Sequence, residues 1–222
     1  MSLGGMDTKS LPNHRPWNLD TQLDLDVFGA AWRTTAIDYG LGITHFQGYQ
    51  PTCAAESVCN AVEGMGLGRP EPKVVHLLAK RIDDLPDARP GTRLWAAAEA
   101  ACRLLDNGTR WTAIPLGADW EYVPKWLASR GPVALAMAWS DIDASPTWSR
   151  VMFGQGGVAQ HAVCLYGFRP RHEWRRFPIF GRKRVDDFFL IENSNWRGAS
   201  WAYMPVGRVK ADGIEAIGFV KG

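Results

Sequence analysis

The chain of 222 residues is close to neutral and rich in apolar side chains. It has 25 Lys and Arg residues against 23 Asp and Glu residues, 46% hydrophobic residues and 11 tryptophans. This composition excludes disorder over most of the length, and a net charge of +2 gives no argument for nucleic acid. The four cysteines include no C-x-x-C pair, so their spacing favours neither a disulfide framework nor a zinc site.

The sequence contains no obvious membrane or export segment. No apolar run approaches the roughly 18 residues that a membrane-spanning helix needs. Residues 1–17 are polar and contain prolines, unlike the apolar core of a signal peptide. We therefore expect a soluble, cytoplasmic protein with no membrane partner, although signal-independent secretion would leave the same pattern. We interpret residues 1–34 as a tag remnant and arm, because Met1 to Gly5 resemble the remainder of an expression tag.

Helical periodicity dominates the first part of the chain. Apolar side chains three and four residues apart predict a helix that begins at Cys53, with Thr52 as its N-cap, and ends near Gly64. Three more helices are predicted, at Val74 to Ile82, at Leu94 to Leu105 with Thr92 as the cap, and at about Pro124 to Ser129.

After Gly131 the pattern changes to short strands. The predicted strands are Val133 to Trp139, Ala162 to Phe168, Phe188 to Glu192, Trp201 to Val206 and Ile214 to Val220. Helices that precede strands favour a segregated α+β arrangement over a βαβ repeat. We therefore divide the chain into a mainly helical half, residues 35–130, and a mainly β half, residues 131–222.

A basic segment interrupts the β half. Seven Lys and Arg residues and a single acid lie between Phe168 and Val185, so this stretch carries a charge of +6 within a chain of +2. Its place between two predicted strands indicates a long hairpin, residues 169–185, which we call the basic hairpin. A solvated hairpin is one interpretation, and a surface for an acidic or nucleic-acid partner is the other.

Cys53 is the candidate nucleophile. It opens the first helix, where the positive end of the helix dipole favours the thiolate, the form that attacks. The other three cysteines lie inside predicted helices or strands, where buried thiols are inert.

His161 is the candidate base. It begins a predicted strand directly after a glycine-rich loop, where a ring projects from a rigid edge. Asn193 or Asn195, at the end of the next strand, offers an amide oxygen that would accept the Nδ1 proton of His161 and fix the ring. Gln47, six residues before Cys53, offers a side-chain amide that would join the Cys53 N–H in an oxyanion hole.

The order Gln, Cys, His, Asn resembles the papain family of cysteine peptidases, and its bacterial members in particular. The spacing from Gln47 to Cys53, the strand that begins His161-Ala162-Val163, and the stretch from Glu192 to Trp201 carry the resemblance. It extends over most of the chain after the arm.

The resemblance implies a papain-like fold, with a helical half, a β-barrel-like half and the active-site cleft between them. It implies an endopeptidase or exopeptidase that cleaves peptide or protein substrates through a thioester, without metal or organic cofactor. Cys53 would attack, His161 would transfer protons, Asn193 would orient His161, and Gln47 would stabilise the oxyanion. Trp196 would shield the bond between asparagine and histidine.

Three departures from the family pattern leave alternatives open. Thr52 and Ala54 replace the usual neighbours of the cysteine, and one extra residue before Trp196 makes Asn195 a rival of Asn193. The arm before Gln47 is too short for the family's inhibitory prodomain. An acyltransferase or transglutaminase-like enzyme, and a catalytically impaired binding module that acts through the basic hairpin, are the alternative functions.

Overall fold

The structure is a computed structural model that describes residues 36–39, 47, 50–86, 90–105, 110–117, 122–139, 151–152, 157, 159–174, 182–195 and 201–221. Five helices are described, α1 (Cys53–Gly64), α2 (Pro72–Ile82), α3 (Leu94–Leu104), α4 (Tyr122–Ser129) and α5 (Val206–Asp212). Seven strands are described, β1 (Ile37–Asp38), β2 (Trp111–Gly117), β3 (Val133–Trp139), β4 (Ala159–Trp174), β5 (Arg184–Glu192), β6 (Trp201–Pro205) and β7 (Gly213–Lys221). Within these residues, no helix has the length and apolar character that crossing a membrane requires.

The predicted start of α1 and both ends of β3 are confirmed, and Thr52 holds the predicted N-cap position of α1, but the predicted Thr92 cap of α3 is wrong. The Thr52 side chain makes no capping hydrogen bond to α1. Arg93, not Thr92, holds the N-cap position of α3, and the Thr92 hydroxyl instead donates to Asp83 Oδ2 at 2.6 Å. The threonine therefore ties α3 to the end of α2 rather than closing its own helix.

Three elements were absent from the sequence prediction: β1, β2 and α5. Pro115 lies inside β2 and weakened its strand pattern, yet β2 is an end strand of the sheet, where proline is tolerated. The strand β1 has only two residues. The helix α5 has seven residues and begins at Val206, the residue predicted to end the preceding strand.

The strands form one antiparallel sheet in the order β2-β7-β3-β4-β5-β6, and β1 pairs with β4. This path is open within the described part of the chain. One face packs on α1 and α3 through small residues that include Ala134, Ala136 and Ala162. The opposite face packs on α4 through larger side chains such as Leu135 and Trp126. The predicted α+β class is confirmed.

The sheet also joins the two parts of the sequence. Helices α1 to α3 precede residue 105, whereas β3 to β7 follow residue 132. However, β2 lies between the two groups and pairs with β7, the last strand. The division into halves at residue 130 stays a prediction.

The described part of the basic hairpin is the paired end of β4 and start of β5. Arg169 lies 3.1 Å from Asp38, and Lys183 lies 2.5 Å from Glu173. The Arg184 guanidinium lies 5.6 Å from the centre of the Trp174 ring. These contacts pair part of the basic charge with other side chains at the surface, while Arg175 and Arg176 lie outside the described residues.

Candidate active site

The first turn of α1 lies against the first residues of β4. Cys53 is 4% exposed, and its sulfur accepts a hydrogen bond from the backbone N–H of Ala162. One turn later, the Ser57 hydroxyl donates to the carbonyl oxygen of Val163 at 2.6 Å. The two contacts fix the helix start beside the strand residues that directly follow His161.

Burial raises the pKa of the Cys53 thiol above its ordinary value. The backbone N–H groups of Ala162, Ala54 and Cys53 itself act in the opposite direction, because each donates towards the sulfur. The predicted stabilisation of the thiolate at the helix start is therefore present, but burial outweighs it. Burial also raises the pKa of Cys59 and Cys102 to about 12, and no backbone donor offsets it there.

His161 and Asn193 form a buried hydrogen-bonded pair. His161 Nε2 lies 2.8 Å from Asn193 Oδ1, and the residues are 1% and 0% exposed. The sequence predicted Nδ1 in this contact, and that detail is wrong. Because an amide oxygen only accepts, the proton of the neutral ring lies on Nε2 and Nδ1 keeps its lone pair.

Asn195 contacts the same ring in a different way. Its Nδ2 lies 3.5 Å from Nδ1 and 3.4 Å from Nε2 of His161, which are long distances for hydrogen bonds. Its backbone N–H donates to Asn193 Oδ1 at 3.0 Å. Asn193 thus supplies the oxygen that His161 contacts, and Asn195 helps to hold that oxygen. Trp196 lies outside the described residues.

Gln47 reaches this cluster through Ser194. Gln47 Oε1 accepts a hydrogen bond from the Ser194 hydroxyl at 2.7 Å, and the Gln47 N–H donates to the Ser194 carbonyl at 3.0 Å. Gln47 Nε2 donates to the Gln50 carbonyl at 2.9 Å. An amide nitrogen carries two hydrogens, so this bond commits one of them.

Trp139, which was not predicted as a site residue, packs on His161. Their ring centres lie 4.7 Å apart at an interplanar angle of 64°. The guanidinium of the buried Arg208 lies 5.4 Å from the Trp139 ring centre, and Arg208 Nε lies 3.6 Å from Asp212. The alternation of side chains along β3 could have revealed this contact. Trp139 lies on the same face of β3 as Met137, and Met137 pairs with His161 on the neighbouring strand.

A second missed feature is a buried polar network behind the site, which links α1 to Glu192 at the end of β5. Asn60 donates to Glu192, and Arg69 donates to the Asn60 side-chain oxygen. Arg69 also lies 2.6 Å from Glu56 and 3.1 Å from Glu63. Because Glu192 directly precedes Asn193, the network joins the helix of Cys53 to the strand end that holds His161.

The described residues contain no group of three or more His, Cys, Asp or Glu side chains that would hold a metal ion. The polar groups gathered at the site are a thiol, an imidazole and three side-chain amides, those of Gln47, Asn193 and Asn195. Such a set suits nucleophilic attack and proton transfer.

Many solved structures are similar to this chain, and two of them are described here. Xylellain, a cysteine protease from Xylella fastidiosa, has a TM-score of 0.59 at 12% sequence identity, over 82% of this chain and 84% of that chain. Digestive procathepsin L 3 of the Tenebrio molitor larval midgut has a TM-score of 0.58 at 14% identity, over 82% of this chain and 70% of that chain. No protein-family model and no curated protein matches the sequence. Together with the helices and sheet described above, these likenesses show that the chain has the papain-like α+β fold.

Proposed function

We propose that this protein is a cysteine peptidase that hydrolyses peptide bonds through a thioester. One observation carries the proposal. The Cys53 sulfur accepts a hydrogen bond from the N–H of Ala162. Ala162 directly follows His161, whose ring lies 2.8 Å from the side-chain oxygen of Asn193. A nucleophile needs a base, and the base needs an orienting partner. The likeness of the fold to a cysteine protease supports the same chemistry.

In the proposed mechanism, the Cys53 proton passes to His161 Nδ1 and the thiolate attacks the peptide carbonyl carbon. The Cys53 N–H and the second hydrogen of Gln47 Nε2 stabilise the oxyanion. When the carbon–nitrogen bond breaks, His161 gives its proton to the leaving amine. His161 then takes a proton from water, which attacks the thioester and frees Cys53.

A peptide epoxide that alkylates thiols tests the nucleophile. We expect a mass increase of one inhibitor on the wild type, localised to Cys53, and no increase on Cys53→Ala. Cys102→Ala is the matched control, because it removes another buried thiol, 5% exposed on α3, and should label like the wild type. No covalent mass shift at Cys53 across pH 5 to 8 would contradict the assignment.

Acyl transfer to an amine is the second candidate function, because the same thiol and histidine would form the thioester and an amine would then replace water as its acceptor. Peptides incubated with a strong amine nucleophile distinguish the two outcomes by mass. A transferred product in excess of the hydrolysed one would favour transferase activity.

Two further predictions concern the setting of the enzyme. An acidic partner would bind the basic hairpin, and Arg182→Ser with Arg184→Ser should weaken that binding without lowering peptide hydrolysis. Both residues are exposed.

A cytoplasmic location remains our expectation, and fractionation of cells that express the protein tests it.

A further inference from the structure

His161, Trp139 and Arg208 form a stack of three side chains, which we call the histidine stack. Trp139 is the last residue of β3, and Arg208 lies in α5. The ring centres of Trp139 and His161 lie 4.7 Å apart, and the Arg208 guanidinium carbon lies 5.4 Å from the Trp139 ring centre. All three residues are buried. The stack therefore runs from the candidate base to a cation inside the fold.

Asn193 fixes one point of the His161 ring, through the contact of 2.8 Å at Nε2. A ring that is joined to the backbone through Cβ and hydrogen-bonded at Nε2 can still tilt about the line through these two points. Such a tilt moves Nδ1, the nitrogen that would take the proton of Cys53. Trp139 packs on the ring at an interplanar angle of 64°, and this contact resists the tilt.

Arg208 and Asp212 hold Trp139 in turn. The face of an indole ring attracts a guanidinium, and burial strengthens this cation–π contact. Arg208 Nε lies 3.6 Å from Asp212 Oδ2, one turn later in α5, and Asp212 is also buried. The short helix α5 thus carries both the cation that contacts the indole and the anion beside that cation.

The histidine stack acts on the orientation of His161 rather than on its charge. Arg208 and Asp212 carry opposite charges close together, so their fields largely cancel at the distance of the His161 ring. The position of the Trp139 ring is what Arg208 determines, and the position of Trp139 in turn limits that of His161.

We propose that Arg208, acting through Trp139, is a positioning residue that holds His161 Nδ1 where it exchanges a proton with Cys53. The inference rests on the proposed peptidase function. It adds to the proposed Gln47, Cys53, His161 and Asn193 set two residues from β3 and α5.

Hydrolysis of a fluorogenic peptide, with kcat expressed per folded molecule, tests the inference. The double variant Arg208→Met with Asp212→Asn removes one charge of each sign and keeps the length of both side chains. We expect its kcat to fall roughly tenfold, within the 10²-fold that misplacement of a reacting group costs, with KM nearly unchanged. Arg208→Lys keeps a cation at the Trp139 ring and should retain most of the wild-type kcat.

Two buried tryptophans provide a matched comparison. Trp139 and Trp126 belong to the same core cluster, and Trp126 lies on α4. Trp139→Leu should lower kcat at least as much as the double variant, whereas Trp126→Leu should lower stability and keep the kcat of the folded protein. Should Trp139→Leu or the double variant not fold, Trp139→Phe keeps an aromatic contact with a smaller face and should lower kcat by less.

The pH dependence of Cys53 alkylation by iodoacetamide is a second readout, which general loosening of the fold would not change. The rate for the double variant relative to wild type should be lowest near pH 6. It should approach the wild-type rate as the pH rises, because hydroxide then replaces His161 as the acceptor of the thiol proton. A ratio that is the same at every pH would indicate altered access to Cys53 and would overturn the inference.

The outcomes separate this inference from the proposed function. If wild type neither hydrolyses peptides nor is alkylated at Cys53, the proposed function and the inference both fail. If wild type is active and the double variant or Trp139→Phe keeps the wild-type kcat, only the inference fails. Equal losses of kcat in Trp139→Leu and Trp126→Leu would also overturn it, because any buried tryptophan would then have the same effect.

Discussion

The oxygen of Asn193 accepts two hydrogen bonds at once, from His161 Nε2 at 2.8 Å and from the Asn195 N–H at 3.0 Å. Two donors on one acceptor leave the amide a single orientation, since a flipped amide would present hydrogens to both. The ring of His161 is thereby held, with Nδ1 as its basic nitrogen. The Asn195 side chain contributes only contacts of 3.4 and 3.5 Å.

We therefore expect Asn193→Ala and Asn195→Ala to differ sharply. Loss of the Asn193 side chain frees the His161 ring, and misplacement of a proton-transfer group costs roughly 10²-fold in kcat. Asn195→Ala keeps the backbone N–H that holds Asn193 and should cost much less. Hydrolysis of a fluorogenic peptide measures both, with the rate of Cys53 alkylation as a second readout. Equal losses would mean that Asn195 orients the ring.

Glu215 should make the stability of the fold depend on pH. Burial, and to a lesser extent the charge of Asp83, raises its folded pKa from the ordinary 4.5 to about 7, so the folded state holds the proton more tightly than the unfolded state. The stabilisation of the fold that comes from this tighter proton binding is complete below pH 4.5 and is lost as the pH rises through about 7. At about 1.4 kcal/mol per pKa unit, the loss is on the order of 3 kcal/mol at most.

Calorimetry of Glu215→Gln and of the parent, both with Cys53→Ala to prevent self-digestion, checks this sign. Glutamine has no charge to bury, so the difference in Tm in favour of Glu215→Gln should grow from pH 5 to pH 8. A difference that stays constant, or that shrinks, would contradict the raised pKa.

At the scale of elements, the network of Asn60, Arg69 and Glu192 couples α1 to β5. The helix carries Cys53 and the strand end leads into Asn193, so the network sets the relation between the proposed nucleophile and the residue that holds the proposed base. Two carboxylates, those of Glu56 and Glu63, contact the guanidinium of Arg69, and the Asn60 amide connects Arg69 to a third, Glu192.

Asn60→Ala should therefore destabilise the protein and lower its activity together. It leaves Glu192 without the Asn60 donor and Arg69 without one acceptor, and a buried polar group left unpaired costs about 1–3 kcal/mol. Urea unfolding measures the loss. Glu99→Gln is the control, since it breaks a surface pair with Arg103 worth about 0.3–0.5 kcal/mol. Equal effects of the two substitutions would refute a structural role for the network.

At the scale of the whole molecule, the sheet binds early and late parts of the sequence together. The strand β2 follows the helices α1 to α3 but pairs with β7, and β1 pairs with β4. Neither part therefore completes its hydrogen bonding alone.

We expect the helical and β parts to unfold in a single transition. Far-ultraviolet circular dichroism follows the helices, and tryptophan fluorescence follows residues such as Trp126 and Trp139, which are buried on the β side. The two urea curves of Cys53→Ala should coincide. Two separate midpoints would show that the parts fold independently.

The sequence predicted those helices and strands whose apolar spacing is visible within the element itself. The start of α1 and both ends of β3 follow from apolar spacing alone. By contrast, Pro115 conceals β2, which is stable because β7 lies beside it. At the site, Cys53, His161 and Asn193 could be selected from their residue types. Which ring nitrogen of His161 contacts Asn193 could not be predicted, because it depends on how β4 and β5 are placed. Trp139 looked like one core tryptophan among 11.

The pairing of β2 with β7 has a consequence for the order of synthesis. A ribosome makes α1, with its thiol, long before it makes Glu192 and Asn193, and β7 comes later still. Until β7 emerges, β2 and β3 each lack a neighbour of the finished sheet. Cys53 therefore meets its proposed partners, His161 and Asn193, only late in the synthesis of the chain.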